Sequence, residues 1–354
     1  MKKPYLLSIE YIRGLAMLGV VAIHTGSQYL SLNPTPNIHL VALFEVVTRF
    51  SVPIFFFISA FGLFYKINLS EPFFYGKFLR RRFKAVLIPY LIWSTLYLVH
   101  DNWFYGYQLF PDWDYGLEIY FFGLAKYHLY FLVILIWFYL LMPLWIALIR
   151  RMTPAKLILL LIAQILFDYW SSYCAGTSEN LFFKWRLNWL VLHYVFIFIL
   201  GGVLGIYSEK FFAWCSERKK IINATFLITL ILFLGYYYFL IIVRGFSPEA
   251  AVNTAHQLSP SGIFYTIGAS IFFFKLFEYG KLPARLKIFL SLLGKNSYFV
   301  YLAHPFAIHY LLLVFSKLNL VMTAINALIF YFLIVAVTLG VKILFQRFFQ
   351  ASLR

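Results

Sequence analysis

Residues 12–31, IRGLAMLGVVAIHTGSQYLS, form a 20-residue stretch in which apolar side chains predominate. An α-helix of about 20 mostly apolar residues is long enough to cross the hydrocarbon core of a membrane. The stretch therefore predicts a transmembrane helix. It also carries Arg13 near one end and His24 further along, and both side chains are costly to place in lipid.

The composition of the whole chain agrees with a membrane protein. Of the 354 residues, 63% are hydrophobic, 22% are aromatic and 12% are charged, and the mean hydropathy is +0.81. Soluble domains carry about 25% charged and about 45–50% apolar residues. This composition excludes a water-soluble globule, a disordered chain, a coiled coil and a collagen-like repeat.

Nine further apolar stretches follow the first at regular intervals, so we predict an all-α membrane protein, a polytopic bundle of about ten transmembrane helices. We expect one integral-membrane domain over residues 1–354, with no fused soluble domain and with the first helix retained. The fifth span is the least regular because Gln164 and Asp168 interrupt it. The predicted spans lie near 12–31, 42–65, 84–100, 127–149, 156–173, 189–207, 221–243, 259–279, 297–315 and 321–346.

The net charge of +17 has a topological explanation. When the spans alternate across the membrane, 23 of the 30 Lys and Arg residues fall on one side and five on the other, while Arg13 and Arg49 lie within spans. Cationic loops remain in the cytoplasm. Both termini are therefore predicted to be cytoplasmic, and no nucleic-acid partner is needed to explain the charge.

Arg13 and His24 are the most informative polar pair. Eleven residues separate them, about 16 Å or three helical turns, so both should point to nearly the same face of the first helix. Two structural explanations remain open: Arg13 could extend toward the lipid headgroups, and His24 could be a buried histidine hydrogen-bonded to a neighbouring helix.

The second span carries Glu45 and Arg49 at i,i+4 spacing, which is typical of a mutually satisfied ion pair. Pro53 is predicted to kink this helix and to free a backbone carbonyl. The run Arg80-Arg81-Arg82 either reflects the positive-inside rule alone or forms an anion site for a phosphate-bearing ligand.

Further polar residues lie in the fourth and ninth spans. His128 follows an aromatic residue and could belong to an interfacial belt. Ser297, Tyr301 and His304 share one helix face, and Pro305 frees a backbone acceptor; this face could be a satisfied polar seam. His39, His100, His193 and His256 are predicted to be interfacial or in loops and receive no role. We find no metal-ligand, phosphate-loop or nucleophile-elbow motif, and predict no metal site.

Together these motifs resemble the acyltransferase-3 family of integral-membrane O-acyltransferases, including enzymes that acetylate surface polysaccharide or enterobacterial common antigen. Ala60 replaces the usual glycine of the second block, and Tyr130 replaces a common tryptophan. The matching segments, in chain order, are Arg13 to His24 (Arg-x10-His), SVPIFFFIS from Ser51 to Ser59, the run Arg80 to Arg82 leading to Pro89-Tyr90, YHLYFL from Tyr127 to Leu132, and SYFVYLAH from Ser297 to His304.

The resemblance implies a multi-pass enzyme of the bacterial inner membrane. It would move an acyl group, most commonly acetyl, from cytoplasmic acyl-CoA to a hydroxyl of a surface polysaccharide or lipid-linked glycan. Acetyl-CoA would be a co-substrate, and no bound cofactor is expected. His24 would act as general base or transient acyl carrier, and Arg13 would hold a CoA phosphate or orient the base.

The remaining candidates receive secondary roles. The role of binding the acceptor or orienting the acyl carbonyl would belong to His128, Tyr301, His304, Ser297, Glu45 and Arg49. The CoA 3′-phosphate would be bound by Arg80, Arg81 and Arg82. A transporter of glycan or of a small anion is the alternative, because ten helices with buried charge also suit a permease. Broken helices at matching positions in the two halves would favour it.

Overall fold

The structure, a computed structural model, describes residues 3–32, 37–69, 71–107, 113–176 and 178–352, and the regular secondary structure in these ranges is helical. Two π-helical turns, Phe83–Leu87 and Trp170–Cys174, and a 3₁₀ turn, Val191–Tyr194, adjoin the α-helices. The α-helices are α1 (Leu7–Leu32), α2 (Ile38–Thr48), α3 (Ser51–Lys66), α4 (Tyr75–Arg82), α5 (Ile88–Tyr105), α6 (Trp113–Phe122), α7 (Tyr130–Leu140), α8 (Met142–Arg150), α9 (Pro154–Tyr169), α10 (Leu181–Lys184), α11 (Arg186–Trp189), α12 (Val195–Ile206), α13 (Ser208–Glu217), α14 (Lys219–Ile242), α15 (Pro248–Thr254), α16 (Pro260–Tyr279), α17 (Ala284–Lys317) and α18 (Ala324–Ser352).

The helix lengths confirm the predicted polytopic membrane bundle. Within the described ranges, eight helical segments are long and apolar enough to cross a membrane. Two bent pairs raise the number to ten if each is one span: α7 with α8, bent by 64°, and the 3₁₀ turn and α12 with α13, bent by 93°. The interrupted fifth span is the continuous segment Pro154–Cys174.

The second span, Ile38–Lys66, is interrupted next to Pro53. The break lies at Arg49 and Phe50, between α2 and α3. Arg49 is four residues before Pro53, so the break lies where the missing N–H and the ring of a proline disturb a continuous helix. The interruption therefore agrees with the disturbance predicted for Pro53.

Helix α1 lies at the centre of the bundle and contacts α2, α3, α16, α17 and α18. Its approach to α17 depends on two glycines. A Cβ atom on Gly14 would lie 2.3 Å from the Leu290 carbonyl oxygen, and one on Gly294 would lie 2.0 Å from the Glu10 carbonyl oxygen. The close backbone contact holds these helices in a fixed register, and so fixes the position of His24 relative to His304.

Candidate functional site

A cavity of about 340 Å³ surrounds His24, and we refer to it as the His24 cavity. Helices α1, α3, α7 and α17 each contribute to its walls, and the segment around α15 closes one side. Four of the residues singled out in the sequence meet here, although they are up to 277 positions apart in the chain: His24, Arg49, His128 and Tyr301. The remaining lining residues are Val20, Ile23, Ser27, Gln28, Val52, Tyr127, Tyr130, Phe131, Asn253 and Gln257.

Three imidazoles from different parts of the chain converge at this cavity. The rings of His24 and His304 are stacked with centroids 5.1 Å apart, and the rings of His128 and His304 lie 5.0 Å apart at a steep angle. His128 and His304 are buried. Among the described residues, no group of three His, Cys, Asp or Glu side chains is arranged to hold a metal ion. Because an imidazole can take up and release a proton near neutral pH, the cluster is suited to moving protons.

The tautomer of His304 follows from its hydrogen bond. Its Nδ1 lies 2.7 Å from the Tyr301 carbonyl oxygen, which can only accept, so Nδ1 carries the proton. Nε2 is then an acceptor, and it is buried with no partner among the described residues. The Tyr301 hydroxyl donates to the carbonyl of His128. These contacts tie α17 to the turn that precedes α7.

Glu45 and Arg49 form an ion pair at the wall of the His24 cavity. Arg49 Nη2 lies 2.5 Å from Glu45 Oε1, and Glu45 is 1% exposed. The pair carries no net charge, but its contact leaves other polar atoms of the two side chains without a hydrogen bond in the described part of the chain. Glu45 Oε2 and Arg49 Nε are buried without a hydrogen-bond partner in the described part of the chain. Arg49 therefore retains a donor beside the imidazoles.

A second cavity, of about 200 Å³, surrounds Arg13 and is named the Arg13 cavity. Ser59, Tyr139 and Arg82 also line it. The Arg82 guanidinium lies 5.4 Å from the ring centroids of Phe78 and Tyr139. Within the described ranges, neither arginine lies in an ion pair with a carboxylate. Two buried or half-buried cations without carboxylates favour the binding of an anion.

The Arg13 cavity adjoins a larger one of about 680 Å³, the basic cavity, with which it shares Gly62, Leu63, Lys66 and Arg82. Five cationic side chains and one acid, Glu71, line the basic cavity. Under the predicted orientation it lies on the cytoplasmic side. The five cations are Lys66, Lys77, Arg81, Arg82 and Arg150.

The His24 and Arg13 cavities lie along the same side of α1, because both are walled by α3 and α7. Seven residues separate Arg13 from Val20 on α1, and seven separate Val52 from Ser59 on α3. Each interval is about 10 Å along a helix axis. A layer of packed side chains of about this thickness therefore divides the two cavities.

Two candidates lie away from these cavities. Ser297 is buried on α17, where its hydroxyl donates to the Gly294 carbonyl at 2.8 Å, and it lines none of the three cavities. Arg80 is exposed and lines none of them either, whereas Arg81 and Arg82 do.

Comparison with known families decides the class of protein. The family model for the acyltransferase domain matches residues 6–347, nearly the whole chain. The protein belongs to the acyltransferase-3 family. This acyltransferase is accordingly a multi-pass membrane enzyme that transfers acyl groups. No curated protein and no solved structure matches the chain.

The acyltransferase contains a polar network that sequence reasoning missed. Asp168 and His193 are buried, with His193 Nδ1 2.6 Å from Asp168 Oδ1. His193 was expected to be interfacial or in a loop; it lies in the 3₁₀ turn Val191–Tyr194, where its side chain is buried. Gln164 and Asp168, one helical turn apart, gave the only signal, since two polar residues in a span need an internal partner.

The segment between α15 and α16 carries Gln257 into the wall of the His24 cavity. The neighbouring His256 lies outside the spans, and burial together with the positive charge of Arg49 lowers its pKa to about 4. Its imidazole is therefore neutral at physiological pH, and Nδ1 accepts the Leu258 backbone N–H at 3.1 Å. This hydrogen bond holds the segment in its bent conformation.

Proposed function

We propose that this acyltransferase moves an acyl group, in the first instance acetyl, from acyl-CoA to a hydroxyl of a surface polysaccharide or lipid-linked glycan. The bacterial inner membrane would be its location. One observation supports the proposal above all: α1 carries a histidine in one cavity and, about three turns away, an arginine in another that pairs with no carboxylate of the described residues.

The basic cavity suits the donor. A CoA ester carries several phosphate charges and is made in the cytoplasm, where the basic cavity is predicted to open. Arg81, Arg82 and Lys66 would contact the phosphates, and Arg13 would receive the portion of the donor nearest the membrane interior. Guanidinium groups bind phosphate through paired hydrogen bonds. The volume of about 680 Å³ lies within the range of small-molecule sites.

The His24 cavity suits the acceptor and the chemistry. His24 takes the proton of the acceptor hydroxyl as its oxygen attacks the thioester carbonyl. The tetrahedral intermediate then loses the C–S bond, and the sulfur leaves with the proton returned by the His24 imidazolium. The products are an O-acyl ester and CoA thiol.

The other residues of the cavity would hold the reactants. Arg49 Nε, which has no partner among the described residues, could stabilise the negative charge on the carbonyl oxygen, and Glu45 keeps the guanidinium in place. His128, Tyr301 and His304 would bind the acceptor hydroxyl and orient the acyl carbonyl. Ser297, one turn from Tyr301, would support the same helix face.

The layer of packed side chains between the Arg13 cavity and the His24 cavity separates the bound donor from His24. The thioester must pass about 10 Å of packed side chains between Arg13 and Val20 to reach His24. A donor bound with its phosphates in the basic cavity would have to extend its acyl end through this layer. Transfer would then occur on the side of the membrane from which the acceptor glycan enters.

Two measurements on the unmodified protein test this proposal. Radiolabelled acetyl-CoA should label membrane glycan, and acetyl-CoA should raise the thermal unfolding temperature of the purified protein. Absence of both would contradict the donor assignment and would favour a transporter of glycan or of a small anion. Label retained on denatured protein, and lost in His24→Ala, would identify His24 as an acyl carrier instead of a general base.

A further inference from the structure

The interrupted span α9 carries a buried polar network with no place in the reaction described so far. Gln164 Nε2 donates to Asp168 Oδ2 at 2.6 Å, and Gln164 Oε1 accepts the Phe196 backbone N–H at 3.1 Å. Asp168 accepts from His193 Nδ1 at 2.6 Å. The network therefore fixes the 3₁₀ turn Val191–Tyr194 and the first residues of α12 against α9.

The network has the elements of a nucleophilic triad, since Ser171 Oγ lies 3.5 Å from His193 Nε2. Its surroundings argue against nucleophilic chemistry. Ser171 is fully buried, its Oγ accepts from Arg186 Nε at 2.9 Å, and Arg186 Nη2 donates to its carbonyl at 2.6 Å. A hydroxyl held in this way cannot reach a substrate, so the network positions other groups.

The groups it can position lie on the far side of a small cavity of about 20 Å³. Gln164, His193, Tyr194, Gln257 and Thr266 all line this cavity. A water molecule needs about 10–15 Å³ and two to four polar partners. The volume satisfies the first requirement, and Thr266 supplies one polar atom toward the second, because its Oγ1 is a buried hydroxyl with no partner among the described residues.

Two of these residues reach the acceptor site. Gln257 lines both the small cavity and the His24 cavity, and its Nε2 donates to the Tyr194 hydroxyl at 3.4 Å. The Tyr194 side chain also hydrogen-bonds with that of Tyr130, another residue of the His24 cavity. A water in the small cavity would lie between His193, which bonds Asp168, and Gln257, which also lines the His24 cavity.

We propose that the 20 Å³ cavity is a water site, and that this water and the Asp168–His193 pair position Gln257 and Tyr130 for binding of the acceptor. The inference rests on the proposed function of the His24 cavity. Gln164, Asp168, His193 and Thr266 are positioning residues, since they act through Gln257 and Tyr194.

Thr266→Val is the sharpest test because the two side chains have the same shape. If the cavity is dry, the variant replaces a buried unpartnered hydroxyl by a methyl group and should be neutral or more stable. If the cavity binds water, the variant loses one of its hydrogen bonds. Thr266→Ser restores the hydroxyl. Thr338→Val is the matched control, since Thr338 is buried on α18 and donates within its own helix.

Acyl transfer from radiolabelled acetyl-CoA is measured with membrane vesicles from the source cell as acceptor, titrated over a hundredfold range. We expect Thr266→Val to raise the half-saturating amount of vesicles about three- to tenfold, with the thermal stabilisation by acetyl-CoA unchanged. Asp168→Asn should act in the same direction, while Thr266→Ser and Thr338→Val should match the unmodified protein.

An unchanged half-saturating amount in Thr266→Val would overturn the inference while leaving the proposed function intact. Equal losses of donor and acceptor binding would also overturn it, because they would indicate a general structural defect. Absence of transfer by the unmodified protein would contradict the proposed function instead. A high-resolution density map would still show whether the cavity holds an ordered water, so the two failures are distinguishable.

Discussion

His304 Nδ1 donates a hydrogen bond to the carbonyl oxygen of Tyr301, 2.7 Å away and three residues earlier in the same helix. This carbonyl is available because residue 305 is a proline inside α17, and a proline has no N–H to bond the carbonyl four residues before it. The hydrogen bond that Pro305 removes from α17 therefore sets the tautomer of His304 and leaves its Nε2 as the acceptor beside His24.

Pro305→Ala tests this relationship. The alanine N–H would compete for the Tyr301 carbonyl and release the His304 ring, so we expect acyl transfer to fall at least tenfold while the helix itself is not weakened. Donor-induced thermal stabilisation should persist. Pro154→Ala is a suitable control, since Pro154 lies at the start of α9. Unchanged transfer in Pro305→Ala would show that catalysis does not depend on the tautomer of His304.

The basic cavity predicts different effects for adjacent arginines. Arg82 lines both the basic and the Arg13 cavity, whereas Arg80 is exposed and lines neither. A hydrogen bond to a charged group contributes about 1.5–3 kcal/mol, so Arg82→Gln should raise the Kd for acetyl-CoA about tenfold or more. Arg80→Gln carries the same charge change and should have little effect. Equal Kd values for the two variants would assign the arginine run to membrane topology alone.

Glu45→Gln removes the negative charge that neutralises Arg49, while the side chain at position 45 keeps its shape. The unneutralised guanidinium would then oppose the positive charge that His24 acquires with the acceptor proton. We expect transfer to fall about tenfold at normal expression, with binding of acetyl-CoA retained. Glu217→Gln, at an exposed position of α13, is the control. Wild-type transfer in Glu45→Gln would show that the ion pair is only structural.

The contact of α1 with α17 can be tested through stability. Gly294→Ala would place a Cβ atom 2.0 Å from the Glu10 carbonyl oxygen, whereas a Cβ on Gly340 would meet nothing within 4 Å. We expect Gly294→Ala to lower both the unfolding temperature and transfer, because α1 and α17 must separate. Gly340→Ala should be neutral or stabilise the protein by roughly 0.5–1 kcal/mol. Equal unfolding temperatures for the two variants would contradict the close helix contact.

Much of the architecture follows from local sequence. Span length and apolar composition predicted the bundle, and the presence of Pro305 predicted a free backbone acceptor that the structure places against His304. Pro53 likewise indicated a disturbance of the second span, and the structure has the break at Arg49 and Phe50, one turn before the proline.

The site depends on contacts that no sequence pattern contains. His24, His128 and His304 meet because α1 packs on α17 and the turn before α7 contacts α17 through Tyr301, and their spacings of 104 and 176 residues match no motif. The same holds for Asp168 and His193, which lie 25 residues apart on different elements. Polarity within a span indicated that partners exist, but only the packing identifies them.

The central claim is that His24 removes the proton of the acceptor hydroxyl. The most direct measurement is the transfer of radiolabelled acetyl from acetyl-CoA to membrane glycan by His24→Gln, with His39→Gln as control, since His39 is exposed on α2. General-base catalysis contributes about 10²–10⁴-fold. We predict that His24→Gln lowers transfer at least a hundredfold while acetyl-CoA still stabilises the protein, and that His39→Gln is unaffected. Transfer by His24→Gln at the wild-type rate and at normal expression would contradict the account.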